Sequence, residues 1–279
     1  MRKRFGQELR IGVSTHGLAL VKTSRWSGPA LEVLAEHGFG GGQQPAPAGF
    51  EAIGAGVRQL LSDAGAQGWP LTVVLADELA RLWQVTPAPG STRLADLEAA
   101  AALRFQTLYG EPASGWKMAG GWDAGKPFLA AAMPRHLLAL LEHAAGEQHA
   151  ALVEVVPQFI AAWNAWRHAV RPGSWFALVQ GGVLTLGAPG GAGLHAVRSV
   201  PLADGASLDW LGQHVAREAL RLNLDAPARL HVAGHAPSAW NNSTGGAFGC
   251  TLLQGGQGGH AGHATLSPAA QLAATGARA

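Results

Sequence analysis

The stretch RIGVSTHGLALVKTS, residues 10–24, decides the fold class. Apolar and polar residues alternate along it, Gly17 interrupts the alternation, and a second alternating run follows, which predicts a β-hairpin. ALEVLAEHGF (30–39) predicts a third strand. Because closely spaced backbone N–H groups in a glycine-containing turn can bind phosphate, this first hairpin raises the question of a nucleotide site. The stretch itself contains no Asp or Glu.

The same order of elements occurs a second time. SWFALVQGGVLTLGAPGGAGLHAVRSVPL (174–202) predicts another three-stranded meander, and in both halves helices and further strands follow. This duplication predicts an α/β protein with an actin-like (ribonuclease H-like) two-lobe fold, built from a duplicated β-meander plus crossover helices. The predicted domains are a first lobe (8–171) with an inserted subdomain around 71–133, a second lobe (172–240), and a weak last strand followed by a mostly disordered Gly/Ala-rich tail (241–279).

The composition and the distribution of charged and apolar residues disfavour several classes of protein. The net charge of +2 is too small for an electrostatic nucleic-acid surface. The single cysteine, Cys250, rules out an internal disulfide and fits a reducing compartment. Residues 1–12 are basic but lack the apolar core of a signal peptide, and no apolar run approaches the roughly 18 residues that span a bilayer. We therefore expect a cytoplasmic protein that binds no nucleic acid and does not insert into the membrane.

The succession of segments resembles a known family. The segments are IGVSTHGLALVK, VVLADELARLWQV, LEAAAALRFQTLYGE, a strand–helix–strand–helix run over 127–166, and SWFALVQGGVLTL. Together they resemble the PilM-like actin-fold (ASKHA) proteins of type IV pilus assembly and the related cytoplasmic domain of the type II secretion protein GspL, over residues 8–236. The resemblance implies a cytoplasmic protein held at the inner membrane by a bitopic, PilN-like partner. The short cytoplasmic tail of that partner would bind as an extended segment in a groove of the first lobe.

The phosphate hairpins of that fold can be compared residue by residue. Aligned on the first hairpin, Gly12 stands in the position of the Mg²⁺-binding Asp, Ser14 in that of the Gly, and Ala19 in that of the Lys. In the second hairpin Gln180 stands where the resemblance implies another Asp, while Gly182 and Thr185 are kept. Since carboxylates orient Mg²⁺ and the attacking water, we expect no ATP hydrolysis, no catalytic residues and no cofactor.

An alternative is a protein that binds ATP and Mg²⁺ but hydrolyses ATP slowly or not at all. Its contacts would come from the first hairpin, the second hairpin and the adenosine-side turn LHVAGHAP. The candidate residues are Ser14, Thr15, Gly17, Gly181, Gly182 and Gly234. A sugar or acyl kinase is disfavoured, because Gln180 stands where the catalytic Asp of such an enzyme would be.

Other chemistry-bearing residues are interpreted structurally. The histidine pairs 231/235 and 260/263 lack the three or four converging ligands of a transition-metal site, so we expect no metal. Asp77 and Glu78 form an acidic pair that we interpret as the N-cap and first turn of a short helix. Most of the ten tryptophans are expected in the core.

The predicted function is therefore a non-catalytic, actin-fold scaffold of a type IV pilus or secretion-type inner-membrane assembly platform. It would bind the cytoplasmic tail of a membrane partner, and it could also form a homo-oligomer.

Overall fold

The computed structural model describes residues 6–24, 26, 31–39, 47–190, 193–242, 248–253 and 266–277. The strands in these ranges are β1 (Gln7–Val13), β2 (Gly17–Ser24), β3 (Leu31–Gly38), β4 (Pro70–Leu75), β5 (Arg81–Val85), β6 (Trp116–Gly120), β7 (Phe128–Pro134), β8 (Ala151–Pro157), β9 (Ser174–Gln180), β10 (Val183–Gly190), β11 (Gly193–Pro201), β12 (Arg229–Gly234) and β13 (Gly249–Leu252). The α-helices there are α1 (Phe50–Ala64), α2 (Leu94–Tyr109), α3 (Arg135–Glu147), α4 (Gln158–Trp166), α5 (Leu208–Arg221) and α6 (Pro268–Ala274).

Two five-stranded sheets share one topology. The first has the order β3-β2-β1-β4-β8 and the second the order β11-β10-β9-β12-β13. In each sheet the three meander strands are antiparallel and the last two strands run parallel to the first strand of the meander. The stretch that opened the sequence analysis is the β1–β2 hairpin, with Gly12 paired to Ala19. The predicted duplication of the meander is confirmed.

A third, antiparallel sheet of order β5-β7-β6 forms the insertion in the first lobe. Helix α2 covers it and buries Leu97, Ala101 and Phe105. This small core also contains the buried Trp83, whose ring centroid lies 5.2 Å from that of Phe105. Strand β4, which falls inside the predicted insertion around 71–133, belongs instead to the first five-stranded sheet, because it pairs with β1.

The two lobes exchange helices. Helices α1 and α3 pack with the first sheet in one core, and α5 packs with the second sheet in another. Helix α4 follows β8 of the first lobe but packs against the second lobe, where the ring centroids of Phe159 and Phe176 are 5.5 Å apart. Helix α6 follows the last strand of the second lobe and packs against β1 and β2 of the first. Each lobe therefore supplies part of the covering of the other.

Helix α6 corrects one sequence expectation. Residues 241–279 were expected to contain a weak strand and a mostly disordered tail, and β13 agrees with the strand. Residues 266–277, however, contain α6, whose side chains Ala270, Leu272 and Ala273 are buried. The burial of α6 comes from β1 and β2, which are distant in the sequence, so the local sequence of 266–277 did not indicate a helix. Residues 254–265, with the histidines at 260 and 263, lie outside the described residues.

Candidate functional site

The turn of the first hairpin already uses its own N–H groups. The Ser14 hydroxyl donates to the carbonyl oxygen of Gly17 (2.8 Å). The same oxygen atom of Ser14 accepts from the backbone N–H groups of His16 (3.2 Å) and Gly17 (3.0 Å). Two donors that a phosphate would need therefore point at a serine side chain within the same turn.

A carboxylate occupies the other side of this turn. The backbone N–H of Thr15 and its hydroxyl both donate to Oε1 of Glu78, over 3.1 and 3.3 Å. Glu78 lies in a short 3₁₀ helix between β4 and β5. A negative charge at this position repels a phosphate group, so the first hairpin as it stands is unfavourable for an anion. Sequence reasoning assigned Glu78 to a helix start and did not anticipate this contact.

The second hairpin and the turn after β12 are built on glycines. Gly181 and Gly182 both have positive φ (57° and 74°), as a two-residue hairpin turn requires. Gly234 has φ 85°, and a Cβ atom there would lie 2.1 Å from the carbonyl oxygen of Val179, so the close approach of two strands requires glycine. Gln180 bridges the two turns, since its Oε1 lies 3.1 Å from Nδ1 of His235. These glycines have a structural reason that is independent of any nucleotide.

Helix α6 lies between the first hairpin, at Gly12, and the second hairpin, at Gln180. We call the space between these two residues the interlobe cleft. A Cβ atom at Gly12 would lie 2.5 Å from the carbonyl oxygen of Ala269 and 2.6 Å from the backbone nitrogen of Ala273. On the other side, the Gln180 side chain donates to the carbonyl oxygen of Pro268 (3.3 Å). Position 12 is where the resemblance implies a Mg²⁺-binding Asp, and here the backbone of α6 covers it.

Polar side chains hold both ends of this helix. Buried Arg10 donates from Nε to the carbonyl oxygen of Ala273 (3.0 Å) and from Nη2 to that of Thr275 (2.7 Å). At the other end the Ser267 hydroxyl accepts from the N–H of Ala270 and donates to Oε1 of Glu36 (2.6 Å). Carbonyl groups at a helix end lack intrahelical partners, so Arg10 satisfies groups that would otherwise be buried unpaired.

A partly buried carboxyl group, that of Asp77, joins the lobes at a third point. Oδ1 of Asp77 accepts from the backbone N–H of Phe159 in the first turn of α4 (3.1 Å), and Oδ2 accepts from the Thr185 hydroxyl of the second lobe (3.4 Å). Burial raises the pKa of Asp77 to about 6, and the two hydrogen bonds offset part of that rise. The interpretation of Asp77 as an N-cap of its own short helix is wrong, because its carboxylate bonds to the start of α4 instead. Thr185, kept in the phosphate-hairpin pattern, is one of its partners.

A groove of about 770 Å³ lies between the third sheet, β8, α4 and the facing ends of β10 and β11. We call it the β7–β8 groove. Its walls are largely apolar, from Phe128, Leu129, Ile160, Trp163 and Leu194, and its charges are an ion pair at one end, Lys126 Nζ to Asp123 Oδ2 at 3.3 Å. Such a volume with few polar groups suits the side chains of a peptide or small apolar ligand.

Two sheet edges meet at the β7–β8 groove. Strand β8 is the last strand of the first sheet and β6 the last of the third sheet, among the described residues. Residues 155–157 of β8 and 119–120 of β6 line the groove. In β8 the pairing with β4 skips Val153, which is 67 % exposed, so regular pairing resumes at Glu154. An edge strand presents unpaired backbone groups to which an extended segment can add.

The described part of the chain was searched for two features, metal-binding clusters that include histidine and helices that could span a membrane. No cluster of three His, Cys, Asp or Glu side chains that could hold a metal ion occurs among the described residues. Neither ring nitrogen of buried His231 has a hydrogen-bond partner in the part of the chain that the structure describes, and burial lowers the pKa of this histidine. In the same ranges none of the helices combines the length and apolar character needed to cross a bilayer.

The fold matches solved structures although the sequence matches little. No family model matches the chain, and neither does any curated protein. The cytoplasmic domain of EpsL, an inner-membrane component of the type II secretion system of Vibrio cholerae, is 16 % identical (TM-score 0.54; 83 % of this chain and 84 % of that chain covered).

Two further solved structures match over a similar share of the chain. The PilM–PilN type IV pilus biogenesis complex is 17 % identical (TM-score 0.54; 81 % of each chain). A Bacteroides thetaiotaomicron protein with an actin-like ATPase fold and unknown function is 11 % identical (TM-score 0.56; 84 % of each chain). The chain therefore has an actin-like fold, as the sequence predicted, and its structural neighbours include both kinds of protein that the resemblance named.

Proposed function

We propose that this protein is a non-catalytic scaffold of a type IV pilus or secretion-type assembly platform at the inner membrane. In this role it binds the cytoplasmic tail of a bitopic, PilN-like membrane protein. The observation that carries the proposal is the β7–β8 groove, where two sheet edges and an apolar cavity meet. Support also comes from the fold shared with the EpsL cytoplasmic domain and with the PilM–PilN complex.

The groove is suited to an extended peptide. Backbone groups at the edge of β8 can pair with the peptide, and apolar pockets beside Leu129 and Trp163 can take alternate side chains. Only residues 154–157 of β8 follow the bulge at Val153, so the paired part of the peptide is about four residues, or roughly 13 Å. A short tail of a membrane protein is long enough for this contact. The protein would thereby be held peripherally at the inner membrane.

We also propose that the protein works without ATP or Mg²⁺. The first-hairpin donors are occupied by Ser14 and Glu78, and Gly12 supplies no carboxylate for a metal. The alternative, ATP binding without rapid hydrolysis, is favoured by one feature: among the described residues beyond the chain neighbours, nothing lies within 4 Å of a Cβ built at Gly181 or Gly182, so that turn is open. Titration with a fluorescent ATP analogue and Mg²⁺ separates the two. Saturable micromolar binding that requires Mg²⁺ would support the alternative.

Site-specific photo-crosslinking tests the groove. Asn164 is an exposed residue of α4 that lines the groove, whereas the next residue, Ala165, is exposed but does not line it. A photoreactive amino acid at position 164, in the native host, is expected to crosslink the N-terminal cytoplasmic segment of a single-pass inner-membrane protein. The same amino acid at position 165 is the matched control and is expected to give at least tenfold less of that product.

The identity of the crosslinked product decides the outcome. Mass spectrometry that finds the cytoplasmic tail of a bitopic protein at 164 and little at 165 supports the scaffold proposal. Equal crosslinking at both positions, or products from soluble proteins alone at 164, contradicts it. The fold does not depend on either exposed side chain, so both variants are expected to be made at normal levels.

A further inference from the structure

A second, smaller pocket lies where the insertion of the first lobe meets the second lobe. Strands β5 and β11 are end strands in the sheet orders β5-β7-β6 and β11-β10-β9-β12-β13, and they contact each other. Residues of both strands, together with α2 and Leu222 at the end of α5, line a pocket of about 290 Å³. We call it the arginine pocket, because Arg104 of α2 and Arg198 of β11 both line it.

The charge in this pocket has one sign. No Asp or Glu is among the described residues that line it, and neither arginine forms an ion pair with any described residue. Nη1 of Arg198 donates to the carbonyl oxygen of Val197 (3.2 Å), which leaves its other N–H groups for a ligand. Two like charges in one pocket repel each other, and a bound anion would remove that repulsion.

Neutral polar groups complete the lining. The Thr86 hydroxyl and the Gln84 amide belong to lining residues, and Gln84 Nε2 lies 3.4 Å from Nδ1 of His195. A guanidinium group presents its N–H donors in a planar fork that matches the oxygen atoms of phosphate. The pocket lies at the lower end of the range of about 300–1,000 Å³ for small-molecule sites, so it suits a compact anion better than a whole nucleotide.

We propose that the arginine pocket binds a compact phosphate-containing anion, either pyrophosphate or the phosphate group of a small molecule. Arg104 and Arg198 donate to its oxygen atoms. Because Arg104 belongs to the insertion and Arg198 to the second lobe, the bound anion ties these two parts of the chain together. The proposal does not rest on the scaffold function, whose groove shares only Gln84 with this pocket.

Isothermal titration calorimetry of the full-length protein tests the site with three sodium salts at physiological ionic strength: pyrophosphate, phosphate and N-acetylglutamate. Pyrophosphate is expected to bind saturably with one site per chain. Arg104→Gln and Arg198→Gln are each expected to weaken this binding at least tenfold, because each removes charge-assisted hydrogen bonds to the anion. Phosphate identifies whether one phosphate group is sufficient, and N-acetylglutamate is the carboxylate control.

Arg217→Gln is the matched control variant. Arg217 is an exposed residue of α5 that does not line the pocket, and its replacement removes the same charge as the other two substitutions. Salt screens an exposed charge outside the site, so this variant is expected to bind pyrophosphate within twofold of the unsubstituted protein. All three arginines are exposed, so the variants are expected to fold normally.

Three results would overturn the proposal: no saturable binding of either phosphate salt up to about 10 mM, which is weaker than a specific site requires; equal weakening by all three substitutions; or tighter binding of N-acetylglutamate than of both phosphate salts. Amide hydrogen exchange gives an independent measurement of the location. At a pyrophosphate concentration of ten times Kd, exchange by local opening of α2 and β11 should slow by about tenfold, because opening requires release of the anion. Binding that leaves exchange in both elements unchanged also contradicts the proposal.

Discussion

Each lobe receives a helix from the other lobe at a glycine, but the two contacts are made by different atoms. In the second lobe, a Cβ at Gly187 of β10 would lie 2.6 Å from Cζ of Phe159, the far end of an α4 side chain. In the first lobe, a Cβ at Gly12 of β1 would lie 2.5 Å from the backbone oxygen of Ala269 in α6. The atoms met at Gly187 belong to side chains, whereas those met at Gly12 belong to a helix backbone. The repeated topology therefore contains one contact made by side chains, in the second lobe, and one made by backbone, in the first.

The first turns of α4 and α6 also differ in the group that accepts a hydrogen bond from their backbone N–H. At α4, the N–H of Phe159 donates to the partly buried carboxylate of Asp77 in the first lobe. At α6, the N–H of Ala270 bonds to a neutral hydroxyl, Ser267, of its own segment. The α4 contact therefore depends on pH, and the α6 contact depends mainly on packing. The predictions below separate these causes, and each compares one helix with the other.

Removing the largest side chain of the α4 contact should have the largest effect. Phe159 is fully buried and packs on Phe176 and Trp163 of the core between the lobes. Phe159→Ala should lower the free energy of unfolding by about 3–5 kcal/mol, from lost burial and the cavity that remains. Denaturant unfolding followed by tryptophan fluorescence measures it. Leu220→Ala, at a side chain that is 79 % exposed, is the control and should change little. A loss below about 1 kcal/mol for Phe159→Ala would contradict the α4 packing.

The two glycines should respond unequally to the same added methyl group. Gly12→Ala meets backbone atoms of α6 and should cost about 1–3 kcal/mol, as overpacking does. Gly187→Ala meets the end of the Phe159 ring, which can move, and should cost less. The measurement is the difference in unfolding midpoint at constant denaturant slope. If Gly187→Ala were the more costly change, our account of which contact is rigid would be wrong.

The carboxylate at α4 should give a pH dependence that Asp77→Asn removes. The pKa of Asp77 rises from 3.8 to about 6 on folding, chiefly through burial, so the native state holds a proton that the unfolded state has lost between these values. This group's contribution to stability is therefore fully present below pH 3.8 and is lost as the pH rises through 6. An Asn side chain keeps an oxygen acceptor for the Phe159 N–H and carries no charge.

Comparing Asp77→Asn with the unsubstituted protein separates the titration of Asp77 from that of the histidines. The free energy of unfolding of Asp77→Asn, relative to the unsubstituted protein, should rise between pH 4 and pH 6 and then stay constant. Chemical denaturation at several pH values measures this difference. Buried His231 and His214 have lowered pKa values and titrate in both proteins, so their effect cancels. A difference that does not change with pH would show that Asp77 is ionised in the native state throughout this range.

The sequence predicted the parts of the fold that local patterns specify. Alternation around Gly17 predicts the β1–β2 hairpin, and the second meander follows from the same pattern near Gly181 and Gly182, which have the positive φ of a tight turn. Helix α2 (Leu94–Tyr109) ends at Gly110, which has φ 69°, and a glycine in this position is a local signal for a helix end. In each of these elements, the residues that predict the structure lie within a few positions of each other in the sequence.

The sites depend on contacts that no local pattern specifies. Helix α6 has seven residues, too few to be stable alone, and it receives a hydrogen bond at Ala273 from Arg10, 263 positions earlier in the chain. The β7–β8 groove is assembled from segments of the third sheet, β8, α4 and the second lobe. The signal that could have indicated the α6 contact was Gly12 itself, a glycine inside a strand, which often marks close approach of another backbone. The comparison with the phosphate hairpins in the sequence gave no indication that a helix lies beside Gly12.

The smallest expected effect concerns the neutral cap of α6. Ser267→Ala removes the acceptor for the Ala270 N–H and the donor to Glu36, and losing a helix cap costs about 1 kcal/mol. Because α6 is a short helix, this loss should appear in local opening of 266–277 and much less in global unfolding. Amide hydrogen exchange should therefore become about fivefold faster in that segment alone, since 1 kcal/mol corresponds to about that factor. Ser207→Ala, at the cap of α5, is the matched control: its hydroxyl accepts from Trp210, and its loss should leave exchange in 266–277 unchanged. Equal acceleration in both variants would mean that α6 opens only with the whole protein, and the first lobe would then hold its helix as firmly as the second lobe holds α4.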